Sequence, residues 1–192
     1  MKKFVLKINF YALICIASIN IGCGQNKMSE YIEDKSIGIN GSFELEKNNI
    51  PVNWIIYSPK TVPSSDFSII LDKTHIKDGK QSLKFSVKKC VNTGGWLSPG
   101  LSKELEAKPN EIYKVSFWVK NNKSEFIAKI GGVSAMDGIY TTIIQSNEQV
   151  DDWKKIEYTY TIPNKMNAIR FELNITKPGD FWMDDFNITK IK

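Results

Sequence analysis

Apolar and polar residues alternate with a period of two along many stretches of this 192-residue chain. In residues 113–120, Val115, Phe117 and Val119 fall on one face and Ser116 falls on the other. Successive side chains of a strand point to opposite faces, so this pattern predicts a half-buried β-strand. The same pattern predicts strands at residues 52–57, 67–71, 82–87, 125–130, 140–144, 156–162, 169–175 and 181–188.

Turn-forming residues separate these predicted strands. The turn signals are Asp78-Gly79, Ser98-Pro99-Gly100, Lys108-Pro109-Asn110, Pro163-Asn164 and Lys177-Pro178-Gly179-Asp180. No stretch carries the sustained apolar repeat of an amphipathic helix. Many short strands at this spacing are typical of a sandwich or barrel, and we predict one all-β domain, an antiparallel β-sandwich over residues 40–192.

The N-terminus is typical of a secreted lipoprotein. Residues 1–22 carry three lysines within the first seven positions, contain no acidic residue and continue into a mostly apolar run, as in a signal peptide. Gly22 before Cys23 resembles a bacterial lipobox, although Asn20 stands where such motifs usually carry Leu. We predict that Cys23 is lipidated and anchors the protein in the cell envelope, at the outer membrane or cell surface, with residues 23–39 as a tether. The alternative is an ordinary signal peptide.

Charge and cysteine content give no indication of nucleic-acid binding or of an internal disulfide. Without residues 1–22 the chain keeps 23 basic and 21 acidic residues, so its net charge gives no indication of nucleic-acid binding. Cys90 is the one cysteine left in the predicted domain, so an internal disulfide is excluded, and we interpret it as a small apolar strand residue.

Both ends of the predicted domain carry acidic residues in short strand-like runs. The first run is Asn40–Glu44, and the last is Phe181–Phe186, which contains Asp184 and Asp185. We expect the first and last strands to lie side by side, where Glu44 and the two aspartates would share a hard cation.

Seven motifs in a fixed order resemble a known family. They are Asn40-Gly41-Ser42-Phe43-Glu44, Pro51 with Trp54, Asp78-Gly79 with Ser82-Leu83-Lys84, Tyr113 with Ser116–Lys120, Trp153 with Tyr158, Ile169–Leu173, and Asp184-Asp185. Their order resembles the jelly-roll carbohydrate-binding modules of the galactose-binding-domain-like group, which accompany bacterial xylanases and glucanases. The resemblance implies a structural Ca²⁺ that links the terminal strands through Glu44 and Asp184 or Asp185. Asp78 or its turn would supply a further ligand.

Aromatic side chains are the first candidates for a sugar-binding site, because sugar rings stack on flat aromatic faces. Trp96 follows Gly94-Gly95 in a predicted loop, and the resemblance implies that a Trp in this region lines the cleft. Trp118 lies on the polar side of its strand, and Tyr140 follows a loop at residues 134–138. We interpret the other tryptophans, Trp54, Trp153 and Trp182, as packing residues.

Polar residues of the strand at 169–175 are the second group of candidates. Arg170, Glu172 and Asn174 alternate with apolar residues and would bond sugar hydroxyls if their face lines a cleft. The alternative is an Arg/Glu cross-strand ion pair on a solvated sheet.

We therefore predict a non-catalytic module that binds a polysaccharide or oligosaccharide. A scaffold or adhesin with a flat apolar patch is the first alternative. A hydrolase is the second and would need two carboxylates across a groove, for which Glu157 and Glu172 are candidates. The chain has no Ser/His/Asp constellation, no zinc-type His cluster and no phosphate-binding glycine loop.

Overall fold

The computed structural model describes residue 34 and residues 37–132 and 139–192. The strands of these residues are β1 (Glu46–Lys47), β2 (Ile50–Pro51), β3 (Ile55–Tyr57), β4 (Asp66–Asp72), β5 (Ser82–Lys89), β6 (Gly100–Glu106), β7 (Ile112–Asn122), β8 (Glu125–Gly131), β9 (Thr141–Ser146), β10 (Val150–Thr161), β11 (Ala168–Lys177) and β12 (Gly179–Lys190). A short 3-10 helix at Gly95–Leu97 lies between β5 and β6. None of the described segments is an apolar helix long enough to span a membrane.

Two five-stranded sheets form the fold. The front sheet has the order β3-β6-β11-β8-β9, the back sheet has the order β10-β7-β12-β5-β4, and β1 and β2 form a separate hairpin. Neighbouring strands pair antiparallel throughout both sheets. This arrangement confirms the predicted all-β antiparallel sandwich.

Strand β6 was not predicted, because one of its residues breaks the alternation. Lys103 faces Phe171 across the β6–β11 pair, at a position where an apolar side chain is expected. Its ammonium is buried and donates a hydrogen bond of 2.9 Å to the carbonyl of Asn53. A lysine that faces the core is tolerated when its ammonium has a hydrogen-bond partner. It nevertheless interrupts the alternation of apolar and polar residues by which the strand would be predicted.

Aromatic rings from both sheets form the centre of the core. Phe117 of the back sheet meets Phe171 of the front sheet edge to face, with ring centroids 5.3 Å apart. Phe126 of the front sheet and Phe181 of the back sheet lie 4.7 Å apart. All four side chains are buried, and such pairs supply both large buried area and a preferred geometry.

The prediction that the first and last strands lie side by side is wrong. The partners of β12 are β5 and β7, and residues 40–44 form a turn in which Asn40 and Phe43 have positive φ angles. The side-chain amide of Asn40 holds this turn by donating to the carbonyls of Leu45 and Val52. Asn tolerates the left-handed region better than most residues, so a turn competes well with a strand here.

The two ends of the domain nevertheless meet. The N–H of Phe186 donates to the carbonyl of Gly41 over 2.9 Å, beside an irregularity in the pairing of β12 between Asp184 and Asn187. Trp54 packs edge-on against Phe186, with centroids 5.0 Å apart, and buries the contact.

Substitution of Gly41 tests this junction. A Cβ at residue 41 would lie 1.7 Å from the carbonyl oxygen of Phe186, which is backbone and cannot rotate away. We expect Gly41→Ala to lower the free energy of unfolding by more than about 2 kcal/mol. Urea denaturation measures the change. Gly38→Ala is the control, because its Cβ meets nothing within 4 Å and should cost only about 1 kcal/mol of left-handed strain. Equal stability of the two variants would contradict the proposed junction.

Candidate functional site

A pocket of about 340 Å³ opens on the outer face of the front sheet. Its floor is β11, where Arg170 and Glu172 face outward while Phe171 between them enters the core. The residues that line it are Thr93, Gly94, Gly95, Trp96, Lys129, Tyr140, Arg170 and Glu172. Four predicted ligand-binding residues, Trp96, Tyr140, Arg170 and Glu172, therefore meet at one place. The loop at residues 134–138, which precedes Tyr140 in the sequence, lies outside the described residues.

Trp96 forms one wall of the pocket and is partly exposed, with 36% of its surface accessible. Its indole packs on the ring of Tyr57, with centroids 4.4 Å apart and planes at 33°. The guanidinium carbon of Arg170 lies 5.5 Å from the indole centroid. The ring is thus supported by an aromatic and a cationic neighbour while keeping surface for a ligand.

The segment that carries Trp96 has an unusual backbone. Gly94 has φ 70° and ψ −169°, a conformation that is essentially restricted to glycine. Its N–H donates to the hydroxyl of Ser98, which in turn donates to the carbonyl of Val91. The short 3-10 helix that follows places Trp96 over the sheet.

Asn174 lies beneath this segment and is only 1% exposed. Its Oδ1 accepts the N–H of Gly95 at 2.8 Å, and its Nδ2 donates to the carbonyl of Gly95 at 2.9 Å. Asn174 was predicted as a ligand contact, but the structure places it under the pocket and against the backbone.

Glu172 contributes a carboxylate to the pocket floor. The hydroxyl of Tyr57 donates to its Oε1 at 2.8 Å, and the second oxygen has no donor among the described residues. Burial, together with the nearby Glu172 charge, raises the pKa of Tyr57 far above its usual value. Tyr57 therefore stays protonated and acts as a fixed donor to Glu172.

Arg170 and Lys129 supply the positive charge of the pocket. Arg170 pairs with Glu104, its register partner on β6, through two hydrogen bonds, so the cross-strand ion pair considered from the sequence does form. Two nitrogen atoms of Arg170 donate hydrogen bonds to Glu104. A guanidinium carries about five N–H donors, so this pair does not use all of them. Lys129 stands opposite Glu172 in the register, and its ammonium has no hydrogen-bond or ion-pair partner within the described residues.

Trp118 is not part of this pocket. It lies on the outer face of the back sheet, where the ammonium of Lys77 sits 4.0 Å from its ring centroid and that of Lys155 sits 6.0 Å away. The alternation correctly places Trp118 outside the core, but it cannot say on which side of the sandwich that outer face lies.

Glu157 also belongs to the back sheet. Its carboxylate pairs with Lys114 and Lys155 on the outer face. Glu157 and Glu172 therefore lie on opposite sides of the sandwich, and they do not face each other across one groove as a pair of hydrolytic carboxylates must.

Comparison with known proteins places this pocket in context. A family model described as carbohydrate binding domain matches residues 35–180, which is well over half of the chain. This chain belongs to that family. The resemblance predicted from the sequence is therefore confirmed at the level of the family. No curated protein sequence shows significant similarity to the chain.

Several solved structures resemble this carbohydrate-binding domain. The CBM22-1 xylan-binding domain of Paenibacillus barcinonensis Xyn10C is 21% identical with a TM-score of 0.55, covering 79% of this chain and 92% of that one. The C-terminal family 22 module of Clostridium thermocellum Xyn10B is 17% identical with a TM-score of 0.56, covering 78% and 91%. The active domain of bacteriophage CBA120 tailspike protein 4 is 14% identical with a TM-score of 0.57, covering 79% and 21%. These likenesses establish the jelly-roll fold.

The four acids predicted as metal ligands do not form one cluster among the described residues, although two of them bind the same turn. Glu44 accepts the N–H groups of Lys80 and Gln81 through Oε1, and Asp184 accepts those of Lys77 and Asp78 through Oδ2. Both carboxylates thus hold one turn, residues 77–81. No three His, Cys, Asp or Glu side chains within the described ranges lie close enough together to hold a metal ion.

Asp184 is the most unusual of these acids. It is fully buried, and every donor to its carboxylate within the described residues is a backbone N–H, the third being that of its neighbour Asp185. Burial raises the pKa of Asp184 to about 6, against the effect of these hydrogen bonds. Buried negative charge is what a hard metal ion would compensate, so Asp184 fits such an ion better than the exposed Asp78 and Asp185 do, and Glu44 binds the same turn as Asp184.

Sequence reasoning missed Lys129, which lines the pocket, and Tyr57, which supports Trp96 and Glu172 from below. Lys129 follows the same alternation that selected Arg170, since it is an outward residue of the predicted strand at 125–130. No sequence pattern identifies Tyr57 as part of the site. Its ring is buried, and its role depends on contacts with Trp96 and Glu172, which are distant in sequence.

Proposed function

We propose that this domain binds a polysaccharide chain in the front-sheet pocket without cleaving it. A sugar ring stacks on Trp96, with Tyr140 as a second aromatic surface, and hydroxyls bond to the polar floor. The observation that carries the proposal is the partly exposed Trp96 ring, fixed directly beside Glu172 and Arg170. Family membership supports the same ligand class.

The polar groups of the pocket suit sugar hydroxyls, each of which both donates and accepts. Glu172 offers an acceptor oxygen, while Arg170 and Lys129 offer donors. The volume lies near the lower end of the range of about 300–1,000 Å³ for small-molecule pockets, so it suits a short stretch of a chain. An open site buries little area per sugar, and we expect modest affinity.

Binding without hydrolysis is supported by the charges in the pocket. Glycoside hydrolysis requires two carboxyl groups that flank the bond. Among the described lining residues Glu172 is the one carboxylate, and the nearby Glu104 is held by Arg170. The recessed pocket beside a supported aromatic ring also favours a glycan over the flat apolar patch of a protein-binding scaffold.

A pair of tryptophan variants tests the site. We expect Trp96→Ala to abolish retardation in a native gel containing soluble xylan, the ligand named for two of the similar modules. The stacking surface is lost, and affinity should fall at least about tenfold, equivalent to about 1.4 kcal/mol. Its thermal midpoint should fall by no more than about 4 °C, since the ring is partly exposed and lies outside the core.

Trp118→Ala is the matched control, because it removes an equally large ring from the outer face of the other sheet. It should keep wild-type retardation. Loss of retardation in Trp118→Ala, or its retention in Trp96→Ala, would contradict the front-sheet site. If the wild-type protein does not bind xylan but binds another polysaccharide on a glycan array, the proposal is supported with a different sugar as the ligand. If it binds no glycan, the proposal is contradicted.

We also propose a structural Ca²⁺ held by Glu44 and Asp184. The ion would compensate the buried Asp184 charge and link residues 40–44 to β12 and to the turn at residues 77–81. An ion present at about a hundred times its dissociation constant stabilises the folded state by about 2.7 kcal/mol.

Metal removal tests this ion. We expect EDTA to lower the thermal midpoint by about 5–10 °C and added calcium to restore it. Asp184→Asn should remove the response to EDTA, whereas the control Asp185→Asn should keep it because Asp185 is exposed and its carboxylate does not hold the turn. A metal-free wild-type protein with an unchanged midpoint would exclude a structural ion.

The lipidation predicted for the N-terminus completes the proposal, although residues 1–33 lie outside the described part of the chain. We propose that a lipid on Cys23 holds the domain at the cell envelope. In the native host, Cys23→Ser should move the protein from the membrane fraction to the soluble fraction and abolish labelling by radioactive palmitate. Unchanged labelling would contradict lipidation at Cys23.

A further inference from the structure

We infer that Asn174 is a positioning residue: it fixes the backbone of Gly95, and through it the orientation of Trp96, without touching the ligand. This inference rests on the proposed function, since its importance lies in presenting the stacking ring. It gives a role to a side chain that the alternation pattern alone would place among the ligand contacts.

The two hydrogen bonds use both ends of the Asn174 amide. One residue, Gly95, supplies both the N–H bound by Oδ1 and the carbonyl bound by Nδ2. The side chain is 1% exposed, so no surface remains for a ligand. A paired contact of this kind fixes both the position and the direction of the Gly95 peptide groups, which a single hydrogen bond would not do.

The segment around Trp96 needs such a contact. Gly94 and Gly95 both have positive φ angles, and a pair of glycines is free to adopt many other conformations. The 3-10 helix has only three residues and no buried side chain, so it has little stability of its own. Ordering these residues costs conformational entropy, which the hydrogen bonds from Asn174 and Ser98 offset.

The opposing strand leaves room for this amide. Gly100 is the register partner of Asn174 on β6. A Cβ at residue 100 would lie 2.4 Å from Nδ2 of Asn174 and 2.4 Å from the carbonyl oxygen of Leu173. A side chain on residue 100 would therefore push Asn174 away from Gly95.

Near-ultraviolet circular dichroism provides a test that needs no ligand. Trp96 packs on Tyr57 in a fixed geometry, so it should contribute a defined signal, measured as the difference between wild type and Trp96→Phe. We expect Asn174→Ala to lose this contribution, and to lose retardation in the soluble-xylan gel as fully as Trp96→Ala does.

Asn121→Ala is the matched control. Asn121 is also fully buried and also holds backbone groups, donating through Nδ2 to the carbonyls of Ser124 and Glu148, but it does not line the pocket. It should lower the thermal midpoint about as much as Asn174→Ala while keeping both the Trp96 signal and wild-type retardation. A merely structural effect of losing a buried amide would make the two variants alike.

Asn174→Asp gives a second, nearly isosteric test. At pH 7 its carboxylate can still accept the Gly95 N–H but sets a second oxygen against the Gly95 carbonyl. At pH 4 a protonated carboxyl can donate to that carbonyl, so retardation relative to wild type at the same pH should partly return.

These measurements separate the possible failures. A folded Asn174→Ala protein that keeps the Trp96 signal overturns the inference, as does wild-type retardation in that variant. Should Asn174→Ala fail to fold, identical behaviour of Asn174→Asp at both pH values overturns it instead. Retardation retained by Trp96→Ala contradicts the proposed function, while the circular dichroism signal still decides the role of Asn174.

Discussion

Strand β11 is buried on both faces, and its register determines both the core and the pocket. Ile169, Phe171 and Leu173 pack inward, while the alternate residues form or support the pocket floor. A slip of one residue would exchange the two sets, placing charged groups in the core and apolar side chains under the pocket. Pairing with β6 on one side and β8 on the other prevents that slip.

Burial of the polar face of β11 is tolerated because each of its groups has a partner. Arg170 has Glu104, Glu172 has the hydroxyl of Tyr57, and Asn174 has the Gly95 backbone. A buried polar network is stabilising only when its members are satisfied. The same partners hold the pocket in one shape before a ligand arrives, which reduces the ordering cost of binding.

Local sequence does not determine how the two ends of the domain meet. Residues 40–44 contain an apolar residue and an acid in a strand-like order, yet they form a turn because the Asn40 side chain binds nearby carbonyls. The sequence correctly predicted that the two ends lie close together. Their contact, however, is a backbone hydrogen bond between Phe186 and Gly41 beside an irregular region of β12, and not a pair of neighbouring strands. In the pocket, Arg170 and Glu172 were predictable from alternation, whereas Tyr57 depends on partners far along the chain.

The sequence by itself determined the all-β class, most of the strands and which side chains point out of the core, because these follow from the two-residue period of a strand. The tertiary structure decided which outward residues share a surface. Trp96 and Trp118 are both non-core aromatics, but one lies on each side of the sandwich. Asn174 looks like a surface residue until Gly95, 79 positions away, folds over it. The path of that segment depends on contacts between distant residues, and no local pattern encodes such contacts.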